Sequence, residues 1–310
     1  MTETSAHPPR PEPLREGRDG PAVRPSERDF DPAVREMFRA NQANWDARTP
    51  VHLASRFYGV DGVEDPSALS ARWFAPHEWE DIGDPAGLDV LHLQCHLGTE
   101  TLAFAARGAR TTGLDLSGAS VAAARGLAAR SGLDVEYVQG NVYDAVEVLG
   151  GRRFDLVHTG KGALCYLPDL DRWARVVAEL LRPGGRLHIV EFHPLLVALG
   201  PVPAEGEGPE LLLRHDYLGG RGAVRRDATR TYTDGPPVEG ATDAYEWSHG
   251  LGEVVDALVG AGLTIARLRE SDELPWPRWS RMVRTESGGW RLPDSDPRVP
   301  LLYALLAMRS

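Results

Sequence analysis

Side chains able to do chemistry gather in short runs that each follow an apolar, strand-like stretch. They are Gln94-Cys95-His96-Leu97-Gly98, Asp115, Asn141, Gly160-Lys161-Gly162 and Glu191-Phe192-His193. A lone carboxylate such as Asp115 can accept both hydroxyls of a ribose. His193 can act as a proton acceptor at neutral pH, and Glu191 can hold an amine. Lys161 stands out by composition: lysine and arginine total 34, yet it is the only lysine. A compact, deprotonatable ammonium is not replaced by a guanidinium fork, so Lys161 is read as an anion holder or as a base of lowered pKa.

The elements that must position these residues are legible from residue 88 onward. Leu88 to Leu93, Ala109 to Leu114, Val135 to Val138, Phe154 to His158 and Leu187 to Phe192 read as strands. Helical stretches alternate with them, from Thr99 to Arg107, after the cap Ser117, and through Leu170, Trp173, Val177 and Leu181. This alternation predicts βαβ units and a mostly parallel sheet. The expected fold is α/β: a Rossmann-like seven-stranded sheet with helices on both faces. Arg182-Pro183-Gly184-Gly185 reads as a break before the fifth strand, and Leu263 to Leu268 and Leu301 to Met308 supply the last two.

The expected divisions are a disordered tail over 1–29, an N-terminal helical cap over 30–87 and a core over 88–193. An insertion over 194–246 acts as substrate cap, and 247–310 completes the core. Within the cap, Asp31-Pro32 starts a helix whose end is placed near Trp45. Within the insertion, Leu211 to Leu213 and Thr229 to Thr233 read as short β-like runs.

In such a sheet, ligands bind outside the carboxyl ends of the strands. A pyrophosphate cradle in the first turn needs glycines, and here only the last one, Gly98, is retained. That counts against a nicotinamide-dependent oxidoreductase. A ligand with a ribose and no phosphate fits, and S-adenosylmethionine meets both conditions. Its carboxylate would rest at the N-terminus of the helix starting near Gly98.

The chain here resembles the class I S-adenosylmethionine-dependent methyltransferases, with Leu88 to Phe192 carrying the likeness. The matching segments are Val90 to Gly98, Thr112-Gly113-Leu114-Asp115-Leu116-Ser117, Gly140-Asn141-Val142, Phe154-Asp155-Leu156-Val157-His158 and Leu180 to Leu187. The resemblance implies that Gln94, Cys95, His96 and Gly98 wrap the methionine moiety, Asp115 binds the ribose diol and Leu116 packs on the adenine. It further implies that Asn141 meets the adenine amino group through its side-chain oxygen, that Val142 donates from its backbone, and that Gly160 contacts the sulfonium region. The family usually has an acid at the position of His92, glycines at those of Gln94 and His96, and aspartate at that of Asn141.

Substrate contacts are expected from Trp45, His52 and Tyr58 in the N-terminal cap, from Glu191, and from Trp247 and His249 after the insertion. Insertion arginines Arg214, Arg225, Arg226 and Arg230 suggest an anionic acceptor. Cys95, His96, Cys165 and His193 lack the compact spacing of zinc ligands, so no metal is expected.

The net charge of -11 argues against broad contact with nucleic-acid phosphates. No apolar run reaches a membrane span and two cysteines make no disulfide framework, so a cytoplasmic protein is expected. Methyl transfer to a small molecule is the expected function, with a non-catalytic binding protein of the same fold as the competitor. Oligomeric state is not specified by the sequence.

Overall fold

A computed structural model describes residues 26–60, 68, 72–200 and 212–310. Residues 1–25 of the expected tail and 201–211 of the insertion lie outside the described residues. The Ser26 hydroxyl caps a short 3-10 turn over Glu27–Asp29. Asp31 caps α1 (Pro32–Leu53), with proline at its first helical position. The helix runs on past Trp45 to Leu53, because Asn41, Asn44, Thr49 and His52 all find buried partners along it. A second helix, α2, spans Pro76–Ile82.

The core follows as β1 (Asp89–Leu93), α3 (Thr99–Ala106), β2 (Arg110–Asp115), α4 (Gly118–Ser131) and β3 (Val135–Gln139). The chain continues through α5 (Ala145–Val148), β4 (Phe154–Thr159), α6 (Leu170–Leu180), β5 (Leu181–Phe192) and α7 (Pro194–Ala198). After these come β6 (Val224–Asp227), β7 (Asp243–Glu246), α8 (Leu251–Gly260), β8 (Leu263–Ser271), β9 (Val283–Arg284), β10 (Trp290–Arg291) and β11 (Leu302–Arg309).

The main sheet has seven strands in the order β3-β2-β1-β4-β5-β11-β8. Its first five strands pair in parallel, and β11 runs antiparallel to both neighbours. Strand order therefore reverses between β1 and β4, the crevice where such sheets bind ligands. Alternate residues feed two apolar layers. Leu91, Leu93 and Val157 pack with Trp173, Val177 and Leu258, whereas Val90 and Leu156 pack with Leu102, Phe104 and Val121.

Two readings of the sequence need correction. The segment Arg182 to Gly185 does not precede β5 but lies within it. Phe154 pairs with Leu181 and Leu156 with Arg186, so the extra residues form a bulge at the strand's start. Thr229 to Thr233 is not a strand. The insertion's hairpin is β6–β7, docked on α1 where Asn41 Nδ2 donates to the Tyr245 carbonyl and Asn41 Oδ1 accepts from the Tyr245 amide.

Candidate active site

The turn after β1 keeps a backbone that most side chains resist. Gln94 has φ 56°, His96 φ 48° and Gly98 φ 70°, all left-handed. A side chain at residue 98 is excluded, because its Cβ would lie 2.3 Å from the Tyr137 hydroxyl. Gln94 and His96 hold the same conformation with side chains that bond outward. Gln94 Nε2 donates to the Ala163 carbonyl (2.9 Å), binding the turn to the loop after β4.

Asp115 closes the other side of the turn. Its two oxygens accept the His96 amide (2.7 Å) and the Ser117 amide (2.8 Å), so the carboxylate holds the β1 and β2 turns together. Burial raises its pKa to about 6 despite those hydrogen bonds. Each oxygen retains a second lone pair that can accept from a hydroxyl.

His96 also anchors the cap. Its Nδ1 lies 2.9 Å from Ser120 Oγ and its Nε2 2.7 Å from His52 Nδ1, while His52 Nε2 reaches Thr231 Oγ1 at 2.7 Å. One hydrogen-bonded chain thus joins the turn, α4, α1 and the insertion. Trp45 packs edge-on against His96 at 5.0 Å, and Tyr58 at 5.5 Å. These elements enclose a cavity of about 1490 Å³, reaching from Leu116 and Val142 at one end to Phe192 and Trp276 at the other.

Residues 91–187 match the family model for a methyltransferase domain. That segment is thus similar to a methyltransferase domain. It is 34% identical over 159 residues to a ubiquinone biosynthesis O-methyltransferase of Xanthomonas axonopodis pv. citri, a match covering 49% of this chain and 64% of that protein. The chain thus spans less than two thirds of the length of this curated relative. Among solved structures, a Listeria monocytogenes protein assigned to the S-adenosylmethionine-dependent methyltransferases aligns with TM-score 0.53 at 20% identity, over 75% of this chain and 98% of its own. A Clostridium acetobutylicum S-adenosylmethionine-dependent methyltransferase aligns with TM-score 0.52 at 14% identity, over 81% and 95%. Both share the fold.

Within the matched segment, Gln94, Cys95, His96, Asp115, Leu116, Asn141, Val142 and Gly160 all border the cavity, as do Trp45 and Tyr58 of the cap. Asn141 is already engaged, however. Its Oδ1 accepts the Tyr143 amide (3.1 Å), and its Nδ2 donates to Glu27 Oε2 (3.1 Å). Glu27 lies at the end of the span read as tail, and residues 26–29 dock here because Ser26 Oγ donates to Asp144 at 2.7 Å.

Other expected site residues serve different ends. Lys161 is no low-pKa base: burial would lower its pKa, but Glu78 and Glu100 outweigh that and raise it. Its Nζ lies 3.5 Å from Glu100 and 3.7 Å from Glu78. Glu191 binds neither an amine nor an arginine. It is buried, and its oxygens accept the amides of Gly162, Ala163, Leu164 and Phe192, which shapes the loop after β4. His193 caps α7 by accepting the Leu195 amide at Nδ1 (3.1 Å), and its Nε2 sits 2.9 Å from Glu270, so it stands behind that lining residue and does not border the cavity itself.

His52 is fully buried behind Tyr58. Trp247 and His249 also lie off the cavity. The Trp247 amide donates to the Cys165 carbonyl, and His249 sits between Leu167 and Glu253. Of the insertion arginines, Arg226 borders the cavity but pairs with Glu246 at 3.1 Å, and Arg225 turns out to Asp243. Both cysteines are free, and among the described residues the set Cys95, His96, Cys165 and His193 does not converge.

Sequence reasoning missed Glu100, Glu78 and Tyr232, whereas Arg48 was expected, with Trp45, His52 and Tyr58, to close over the donor. Arg48 is buried, lies over Trp45 at 4.9 Å and borders the cavity without a carboxylate partner among the described residues.

Proposed function

We propose that the protein transfers a methyl group from S-adenosylmethionine to a hydroxyl of a small aromatic acceptor. One observation carries the reading. The turn Gln94–Gly98 keeps its left-handed backbone and stands beside Asp115, at the mouth of a cavity roomy enough for two ligands. The residues fit the cofactor: Asp115 has free lone pairs for a ribose diol, Leu116 and Val142 offer an apolar wall for adenine, and Arg48 supplies an unpaired positive charge for the amino-acid carboxylate. Bound there, S-adenosylmethionine supplies a methyl group already activated on a sulfonium.

The chain's own residues hold the partners and keep water out. Trp45 and Tyr58 cover the methionine side through the hydrogen-bonded His96–His52 pair. At the far end, Phe57, Trp73, Phe192 and Trp276 form an aromatic wall suited to a flat acceptor. The preference for oxygen draws on the O-methyltransferase relatives. Alignment of acceptor and donor is the main catalytic contribution of such a site.

Calorimetric titration with S-adenosylhomocysteine tests the reading. One saturable site is expected, with affinity reduced at least tenfold in Asp115→Ala. Folded protein that binds neither product nor donor would refute it, and binding without turnover on any phenol panel would favour the non-catalytic reading.

A further inference from the structure

Strand register sets three histidines in one row. His92 of β1 pairs with His158 of β4, and His158 pairs with His188 of β5. All three are buried, with ring centroids 4.9 Å apart for the first pair and 5.3 Å for the second. Their Nδ1 atoms are engaged. His92 Nδ1 lies 2.9 Å from Thr101 Oγ1, and His158 Nδ1 3.2 Å from His188 Nδ1.

The opposite ring nitrogens behave differently. His92 Nε2 and His158 Nε2 lie 3.6 and 3.9 Å from the same oxygen, Glu100 Oε2, and neither has a hydrogen-bond partner. In the tautomer with the proton on Nδ1 toward Thr101, His92 presents a bare lone pair at Nε2. Two buried imidazole nitrogens and a carboxylate therefore face one another across a gap longer than a hydrogen bond. Leaving such groups unpartnered in the interior is costly.

We propose that His92 Nε2, His158 Nε2 and the Glu100 carboxylate form a binding site for one divalent transition-metal cation of the zinc, cobalt or iron(II) class. The donors are two imidazoles and one carboxylate, the set these borderline ions favour. All three ligand atoms lie within 4.8 Å of one another. Bonds of about 2.0–2.2 Å would draw them to roughly 3.0–3.5 Å apart, a small closure of the present gap. Thr101 and His188 stand behind the ligands and orient the rings.

The site is reachable, since His92, Glu100 and Gly160 border the cavity. Gly160 leaves room: a Cβ there would sit 2.3 Å from Glu100 Oε2. Three protein ligands leave one coordination position open toward the cavity. The Lys161 ammonium on the other Glu100 oxygen opposes a cation, and Glu78 beside it offsets part of that charge.

The test is titration of chelator-treated, full-length protein with cobalt(II) chloride, read by ligand-field absorption, with zinc content measured after dialysis. One equivalent should bind. Glu100→Gln and His158→Gln should each weaken binding at least tenfold, and Lys161→Met should tighten it several-fold by removing a like charge. Folding of each variant is checked by near-ultraviolet circular dichroism. If His158→Gln does not fold, Glu100→Gln on the cavity side carries the test alone. No saturable cobalt binding, or binding that folded Glu100→Gln leaves unchanged, overturns the proposal.

Discussion

Thr49 has a single hydroxyl proton, and the Trp45 carbonyl, 2.9 Å away, takes it. The contact between Thr49 Oγ1 and Ser120 Oγ at 2.8 Å must then be donated by Ser120. Ser120 in turn accepts from His96 Nδ1–H. The remaining His96 lone pair at Nε2 accepts from His52 Nδ1–H, and His52 Nε2 accepts from Thr231. One threonine thereby sets the tautomer of two neutral rings, in keeping with burial, which lowers His52 to about 3 and His96 well below its ordinary value. Nitrogen-15 spectra of histidine-labelled protein at pH 7 should show both rings as the Nδ1–H tautomer. An Nε2–H form at either ring would reverse the wire. Asp115 gives a second expectation at this scale. A ribose diol needs the carboxylate, whose pKa in the free protein is about 6. Affinity for S-adenosylhomocysteine should be level above that pH and fall about tenfold per unit below it. A flat affinity between pH 5 and 7.5 would detach Asp115 from the ligand.

At the scale of elements, α1 and α4 are joined by a carboxylate. Asp46 Oδ1 accepts the Ser117 hydroxyl (2.5 Å) and the Ala119 amide (3.0 Å), so it supplements Ser117 at the N-terminus of α4. Asp46→Ala should cost about 1 kcal/mol in urea unfolding, the usual value of a lost cap. It should also weaken S-adenosylhomocysteine binding, because the Ser117 amide holds Asp115. Unchanged stability would show that Ser117 alone caps the helix. Asp46 is a residue that sequence reasoning could not place, and the reason is general. The strands of the parallel sheet announce themselves by local apolar runs, so the order of the core and the location of the turns at Gln94 and Asp115 were legible. Contacts made when distant elements meet carry no local period. The histidine row at 92, 158 and 188 exists only through pairing register, and Glu100 looks like any acid in a helix's first turn. Lys161 misled for the same reason: its rarity is visible in the chain, its two carboxylate partners are not.

For the whole molecule, buried neutral histidines make folding pH-dependent. His52, His92 and His188 are each lowered to about 3, chiefly by burial. All three are at most 2% exposed. An unfolded histidine titrates near 6.5. The stability these groups confer is therefore fully present above pH 6.5 and drains away as pH falls toward 3. Near pH 5 the unfolded chain binds almost three more protons at these sites than the folded one. Asp115 works the other way in part of that window. Its folded pKa of about 6 means that the folded state keeps a proton that the unfolded carboxyl has lost. For these four groups the balance is a loss of about 3 kcal/mol per pH unit around pH 5, which Glu191, raised by burial like Asp115, softens. His96 and His158, both lowered well below their ordinary value, steepen it further. A domain of ordinary stability, about 5–15 kcal/mol, should then unfold within a few pH units below 6.5. Urea midpoints measured from pH 7.5 to 4.5 should fall steeply and monotonically below pH 6.5. His188→Asn, which removes one of these rings and leaves the wire untouched, should flatten the slope by about one proton. A midpoint that stays level to pH 5 would mean that water reaches these rings in the folded protein, and the sealed row across β1, β4 and β5 would have to be abandoned.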